Sequence, residues 1–216
     1  MSKNKKFILI SLFTIFIAII ICMLYFSLKN NYSRESIINL IKNASMPSNI
    51  YIKNTIYNNE NYIGLVKFYI KDNKQYLYQE NNKQEQIETF IDNENNSSII
   101  VLHSEKAITQ NTLEGNINFE LPLKNNLLDK LNNTAYSYTF HGKEKVFEIN
   151  CLKISLVSIN NEKYDYYLDE NTGYIVQYEH SKNKETYEYD INSVLDEHIK
   201  TFNINNYKNY NYFNSV

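Results

Sequence analysis

The sequence predicts a mainly β, α+β domain: an antiparallel meander with a few helices, preceded by a single transmembrane helix. Three observations carry this reading. A charge-free run fills positions 7–28 behind three lysines, period-two alternation recurs from Asn49 onward, and one of only four glycines, Gly173, divides two alternating runs near the C-terminus.

Lys3, Lys5 and Lys6 precede FILISLFTIFIAIIICMLYFSL, Phe7 to Leu28. About 20 apolar residues in a helix span the ~30 Å hydrocarbon core of a bilayer. Lysines before the span place residues 1–6 in the cytoplasm and everything after 28 outside, as a single-pass protein of the cell membrane. The run is longer than the 7–15-residue core of a secretory signal and lacks a small-residue exit, which favours an uncleaved anchor. Cys22 leaves two readings open. It is a lipid-facing helix residue, or a degenerate lipidation site with Ile19-Ile20-Ile21 where a small residue is usual.

Residues 29–48 read as a juxtamembrane segment and a short amphipathic helix. Ser33 is the candidate N-cap, Ile37, Ile38, Leu40 and Ile41 form the apolar side, and the helix ends near Ala44 before Pro47. Strands follow. Ile50, Ile52 and Ile56 alternate with Tyr51, Lys53 and Thr55, and Val66, Phe68 and Ile70 with Leu65, Lys67 and Tyr69. Further runs lie at Tyr76–Tyr78, Gln86–Ile91 and Ser98–His103, with Asn-rich turns between them. A second helix is expected over Pro122–Leu131, with Pro in its first turn and Leu127, Leu128 and Leu131 on one side. Strands resume at Ala135–Phe140, Lys145–Ile149 and Leu152–Ile159, then the hairpin around Gly173, Thr186–Ile191 and His198–Ile204. In that hairpin Asp169-Glu170-Asn171-Thr172-Gly173 is the turn, with Asp169 capping turn amides and Gly173 supplying a positive φ. Residues 206–216 read as a loose Asn- and Tyr-rich tail, although Tyr210, Tyr212 and Phe213 could dock.

With a net charge of −2 and one arginine, Arg34, the chain is no nucleic-acid binder. Asn, Lys, Ile and Tyr dominate as in an AT-rich genome, so matches such as Asn43-Ala44-Ser45 carry little weight as glycan sites. The only cysteine besides Cys22 is Cys151, so a disulfide would have to reach into the membrane span. His103, His141, His180 and His198 have no metal-ligand spacing, and no Gly-rich phosphate loop or Gly-x-Ser-x-Gly elbow is present. Asp196-Glu197-His198 is the densest titratable cluster and reads as a solvated turn. Cys151 with His141 lacks an orienting third group and reads as a buried strand cysteine. No catalytic residue, metal site or cofactor is therefore expected, and the chain is expected not to be an enzyme; a hydrolase whose carboxylates meet only on folding is the weaker alternative. The 20 tyrosines, mostly on strands, are the remaining candidates: Tyr has an apolar body and a polar tip, suited to a carbohydrate or lipid cleft as well as to a core.

The late hairpin, Tyr166-Tyr167-Leu168-Asp169-Glu170-Asn171-Thr172-Gly173, followed by Thr186-Tyr187-Glu188-Tyr189-Asp190-Ile191 and Phe202-Asn203-Ile204, resembles the LolA/LolB/RseB-like superfamily of extracytoplasmic proteins, which includes outer-membrane lipoprotein carriers. Asn205 stands where that family commonly has Pro. The resemblance implies a curved antiparallel half-barrel over residues 49–205, with an N-terminal helix and one or more helices on its concave side. It also implies non-catalytic binding, of an envelope protein or of a lipid or lipoprotein acyl chain in the half-barrel cavity. A narrower resemblance is to clostridial spore germination lipoproteins, whose partner is a cell-wall amidase of cortex modification. A fixed tether argues against a shuttling carrier, so docking of an envelope protein is the first expectation and acyl-chain binding the alternative.

Overall fold

The computed structural model describes residues 17 and 32–214. The expected span Phe7–Leu28 and Cys22 lie outside the described residues, apart from Ile17. Among the described residues no helix is long and apolar enough to cross a membrane.

Ser33 starts α1 (Arg34–Asn43): its hydroxyl accepts from the Ser36 amide, and Ala44 closes the helix with its N–H on the Leu40 and Ile41 carbonyls. The chain then runs through β1 (Asn49–Asn58), β2 (Asn61–Lys71), β3 (Lys74–Asn81), β4 (Gln86–Asp92), β5 (Ser97–Leu102) and β6 (Ala107–Thr112). After α2 (Lys124–Asn132) come β7 (Tyr136–Val146), β8 (Ile149–Ser158), β9 (Lys163–Asp169), β10 (Ile175–His180), β11 (Asn183–Ile191) and β12 (Asn211–Asn214). All belong to one open, curved sheet of order β12-β6-β5-β4-β3-β2-β1-β11-β10-β9-β8-β7. Two meanders thus meet at the antiparallel β1·β11 pair, where Ile52 lies opposite Tyr189.

Few glycines are needed because other residues take positive φ in the turns, asparagine in four of twelve cases among the described residues. Asn59, Asn96, Asn161 and Asn192 all sit at positive φ in the turns, a region that Asn enters more readily than other side chains. The Asn content of the sequence is in this respect structural, not merely compositional.

Alternation sorts the side chains onto two faces. On one, Ile50, Ile52, Ile70, Leu152, Ile154, Leu156, Tyr166 and Leu168 form the main core with Ile37 and Ile41 of α1 and Leu127 and Leu131 of α2. The only arginine joins the two helices. Its guanidinium donates to the carbonyls of Lys130, Leu131 and Asn133 at the end of α2 and of Tyr136 at the start of β7.

Four expectations are corrected. Lys145–Ile149 is not a strand of its own: β7 and β8 run through it and turn at Phe147 and Glu148, both at positive φ (48° and 64°). Pro122 precedes α2 and does not occupy its first turn, because Leu123 adopts a left-handed conformation as the N-cap. His198–Ile204 forms no strand and lies between two short 3-10 turns, Asp196–His198 and Ile204–Tyr207. The tail is not loose up to Asn214, since β12 pairs in parallel with β6, Tyr212 opposite Ile108.

Candidate partner-binding surfaces

The helices fill the hollow of the sheet over β1 and β7–β11. Ile37, Ile41, Leu127 and Leu131 are at most 1% exposed, and Tyr166, Tyr187 and Leu168 beneath them at most 2%. Packing of this kind leaves no room for an acyl chain between helices and sheet.

The cover stops at β2. Beyond it the same face continues with aliphatic side chains aligned by register: Val66 on β2, Leu77 on β3, Ile87 and Ile91 on β4, Ile100 and Leu102 on β5. Leu77 is opposite Phe68, which belongs to the main core, and Ile87 is opposite Leu102. All six are half-buried. With Gln75, Gln79, Thr89 and Ser98 set between them in the register, they form an open face, part aliphatic and part polar, whose aliphatic strip is continuous with the core through Phe68.

On the opposite face of β2–β6 the C-terminal segment lies as a strap. Phe202, Tyr207 and Tyr210 pack on Tyr76, Phe90, Val101 and Ile108. Beneath it Glu88, 7% exposed, joins the strap to the sheet through Tyr207 and Lys200. Its carboxylate accepts from the Tyr76 hydroxyl at 2.5 Å and the Tyr207 hydroxyl at 2.6 Å. Lys200 Nζ approaches it to 3.3 Å and His103 Nε2 to 3.1 Å, while His103 Nδ1 is 2.9 Å from the Tyr210 hydroxyl. The network assigns the imidazole proton to Nε2, so that Nδ1 accepts from Tyr210. Burial pushes the Glu88 carboxyl up, but the donors Tyr207, Tyr76 and His103 together with the Lys200 charge outweigh it and hold it below the ordinary Glu value. Nothing in the sequence pattern marked Glu88 or His103 as partners, because 15 residues separate them.

Between the strap and β2–β3 lies a pocket of about 390 Å³. Tyr69 and Tyr76 are opposite each other on the two strands, as are Lys67 and Tyr78, and Glu197, His198 and Lys200 of the strap close the remaining side.

The residues singled out by sequence are dispersed. In the hairpin, Gly173 has φ 74°, Asp169 Oδ1 accepts from the Asn171 amide and Oδ2 from the Thr172 hydroxyl. Cys151 is fully buried and faces Tyr167 and Val176 on the sheet side away from the helices. Burial, with the charge of Asp169, pushes its thiol up to about 11. His141 does not pair with it. Its Nε2 is 2.6 Å from Ser155 Oγ, and Ser155 donates its proton to Asp165. That hydroxyl, donating to a carboxylate in a residue 2% exposed, is not set up as a nucleophile, since activation would need it to donate to the imidazole. Asp196 pairs with Lys71 at the surface. Among the described residues no three His, Cys, Asp or Glu side chains converge as a metal site.

No protein-family model matches the chain, and no curated protein matches it in sequence. Solved structures do match in fold. MucB superposes with a TM-score of 0.51 at 8% identity, over 78% of this chain and 62% of MucB, so the chain spans about 62% of MucB's length. The Pseudomonas aeruginosa MucA/MucB complex gives a TM-score of 0.49 at 7% identity, over 78% and 61%. An uncharacterised conserved protein from Thermus thermophilus gives 0.48 at 10% identity, over 85% and 100%. At such identities the likeness to MucB concerns the fold alone. In architecture the chain resembles MucB.

Proposed function

We propose that the protein is a non-enzymatic, extracytoplasmic binding module that docks an envelope protein through the aliphatic strip of β2–β5. The observation that carries this reading is the occupied hollow: α1 and α2 fill the space where an acyl chain would lie, and the remaining apolar surface is an open sheet face. Half-buried aliphatic side chains on an open face suit the apolar side chains of another protein. MucB is known in complex with MucA; that is a property of MucB, and the case here rests on the strip.

The proposal includes the uncleaved anchor at Phe7–Leu28, which sets the domain outside the cytoplasmic membrane, supported by the lysines before the span and its length. The narrower partner, a cell-wall amidase of spore cortex modification, rests on the sequence resemblance, as does lipidation at Cys22.

The test is capture of the full chain from native membranes after in-cell crosslinking, read for both proteins and lipids. One protein retained by the wild type and lost with Leu77→Asp and Ile100→Asp, at unchanged melting temperature, is the expected result. A stoichiometric acyl lipid in place of that protein, or a partner indifferent to both substitutions, overturns it.

A further inference from the structure

We infer that the pocket between the strap and β2–β3 is a saccharide-binding site for a neutral mono- or disaccharide unit. It lies on the sheet face opposite the docking strip, so its fate and that of the docking reading are separate.

Its volume of about 390 Å³ falls within the roughly 300–1,000 Å³ of sites for small molecules, at the lower end. Tyr69 and Tyr78 offer it partly exposed rings, and Tyr76, only 3% exposed, closes its floor. Tyr69 and Tyr76 have ring centroids 5.8 Å apart, and Tyr78 follows two residues along β3 on the same face. Rings that combine an apolar face with a hydroxyl match a pyranose, which has C–H faces and hydroxyl edges.

The polar groups narrow the class. Lys67 lies 5.8 Å over the Tyr78 ring, and Lys200 lies 4.8 Å over the Tyr76 ring while shared with Glu88. Glu80 accepts from the Tyr78 hydroxyl, and Glu197 faces the pocket from the strap. The Leu195 amide donates to His198 Nδ1 at 3.1 Å, which leaves the neutral ring's proton on Nε2 as a donor. Carboxylate acceptors thus alternate with ammonium and imidazole donors around aromatic faces. A strongly anionic ligand would meet Glu80 and Glu197, and a cationic one Lys67 and Lys200, each close to a like charge. A neutral polyol meets neither penalty. Its vicinal hydroxyls donate to a carboxylate and accept from an ammonium at the same time, so both kinds of group are satisfied. An acyl chain would offer Lys67, Glu197 and His198 Nε2 no hydrogen bond.

The site is tested on the full chain in a detergent without a sugar headgroup, by titrating neutral disaccharides of glucose and of N-acetylglucosamine, a uronic acid disaccharide, and adenosine. Tyrosine fluorescence and chemical-shift perturbation report binding. Saturable binding of a neutral disaccharide is expected, weakened at least tenfold by Tyr69→Ala and by Glu80→Gln and untouched by Leu77→Asp on the other face. Tyr69→Phe, which keeps the ring, is expected to retain it and guards against loss of fold. No saturation by either neutral sugar up to 20 mM, preference for the uronic acid or adenosine, or binding indifferent to Tyr69 and Glu80 would each overturn the assignment.

Discussion

Gly173 lies directly against the backbone of Leu40: a Cβ built on it would stand 2.8 Å from the Leu40 carbonyl oxygen. The glycine therefore answers two demands. It takes φ 74° at the end of the Asp169 turn, and it lets the β9–β10 hairpin close onto the last turn of α1. Tyr174, the next residue, continues the contact with its hydroxyl on the Ser45 carbonyl at 2.9 Å. Any side chain at 173 pushes helix and hairpin apart.

Gly173→Ala is accordingly expected to cost about 1–3 kcal/mol, from left-handed strain and the collision together. Asp169→Ala, which removes an acceptor for the Asn171 amide and the Thr172 hydroxyl, is expected to cost about 0.5–1.5 kcal/mol. Thermal melting of the full chain reads both. Equal melting of Gly173→Ala and wild type would show that α1 is not seated on the hairpin.

Arg34 holds α1 to the end of α2 through carbonyls that no other side chain among the described residues serves. Lysine offers a point charge in place of a planar fork, so Arg34→Lys is expected to lose about 1–2 kcal/mol and to raise hydrogen exchange in the last turn of α2. An unchanged denaturation midpoint, with exchange at Leu131–Asn133 also unchanged, would contradict that role.

What was legible in the sequence follows from how local each signal is. The Ser33 cap, the Leu152-Ile154-Leu156 alternation and the Gly173 turn are set by neighbours within a few residues, and sequence sufficed to place them. The Phe147-Glu148 turn was missed because neither residue is a usual left-handed former. That Tyr210, Tyr212 and Phe213 could dock was visible, but the β12 partner was not, because its pairing with β6 joins residues 104 positions apart, Asn211 with Ala107. The Glu88 network and the tyrosine pocket were hidden for the same reason. Each is assembled from strands and a strap that meet only in the folded chain. That Tyr could line a ligand cleft was visible; which tyrosines share one was not.

Cys151 is expected to be inert. A pKa of about 11, against about 8.5 for a free thiol, leaves a few-hundredfold less thiolate at pH 8. In a Cys22→Ser background, iodoacetamide should modify the native chain far more slowly than the unfolded one. Alkylation of the native protein at the unfolded rate would mean that the cluster of Cys151, Tyr167 and Val176 opens readily.

Glu88 gives the strap a pH dependence of definite sign. Its carboxyl titrates below the ordinary Glu value when folded, so its contribution is complete above the unfolded pKa of about 4.3 and is lost as pH falls through the lower, folded value. Glu88 stays ionised between pH 7 and 5, so strap docking should hold over that range. Glu88→Gln removes the charge while keeping the shape, and at pH 7 it should destabilise the protein by about 1–3 kcal/mol. Hydrogen exchange should then rise in Asn211–Asn214 while β8 and β9 remain protected. Many carboxylates contribute to acid denaturation, so the decisive quantity is the stability difference between wild type and Glu88→Gln, which should be constant from pH 7 to 5 and shrink below the usual Glu range. A difference that grows on acidification would reverse the sign, and would mean that Glu88 is held neutral in the folded protein by its burial.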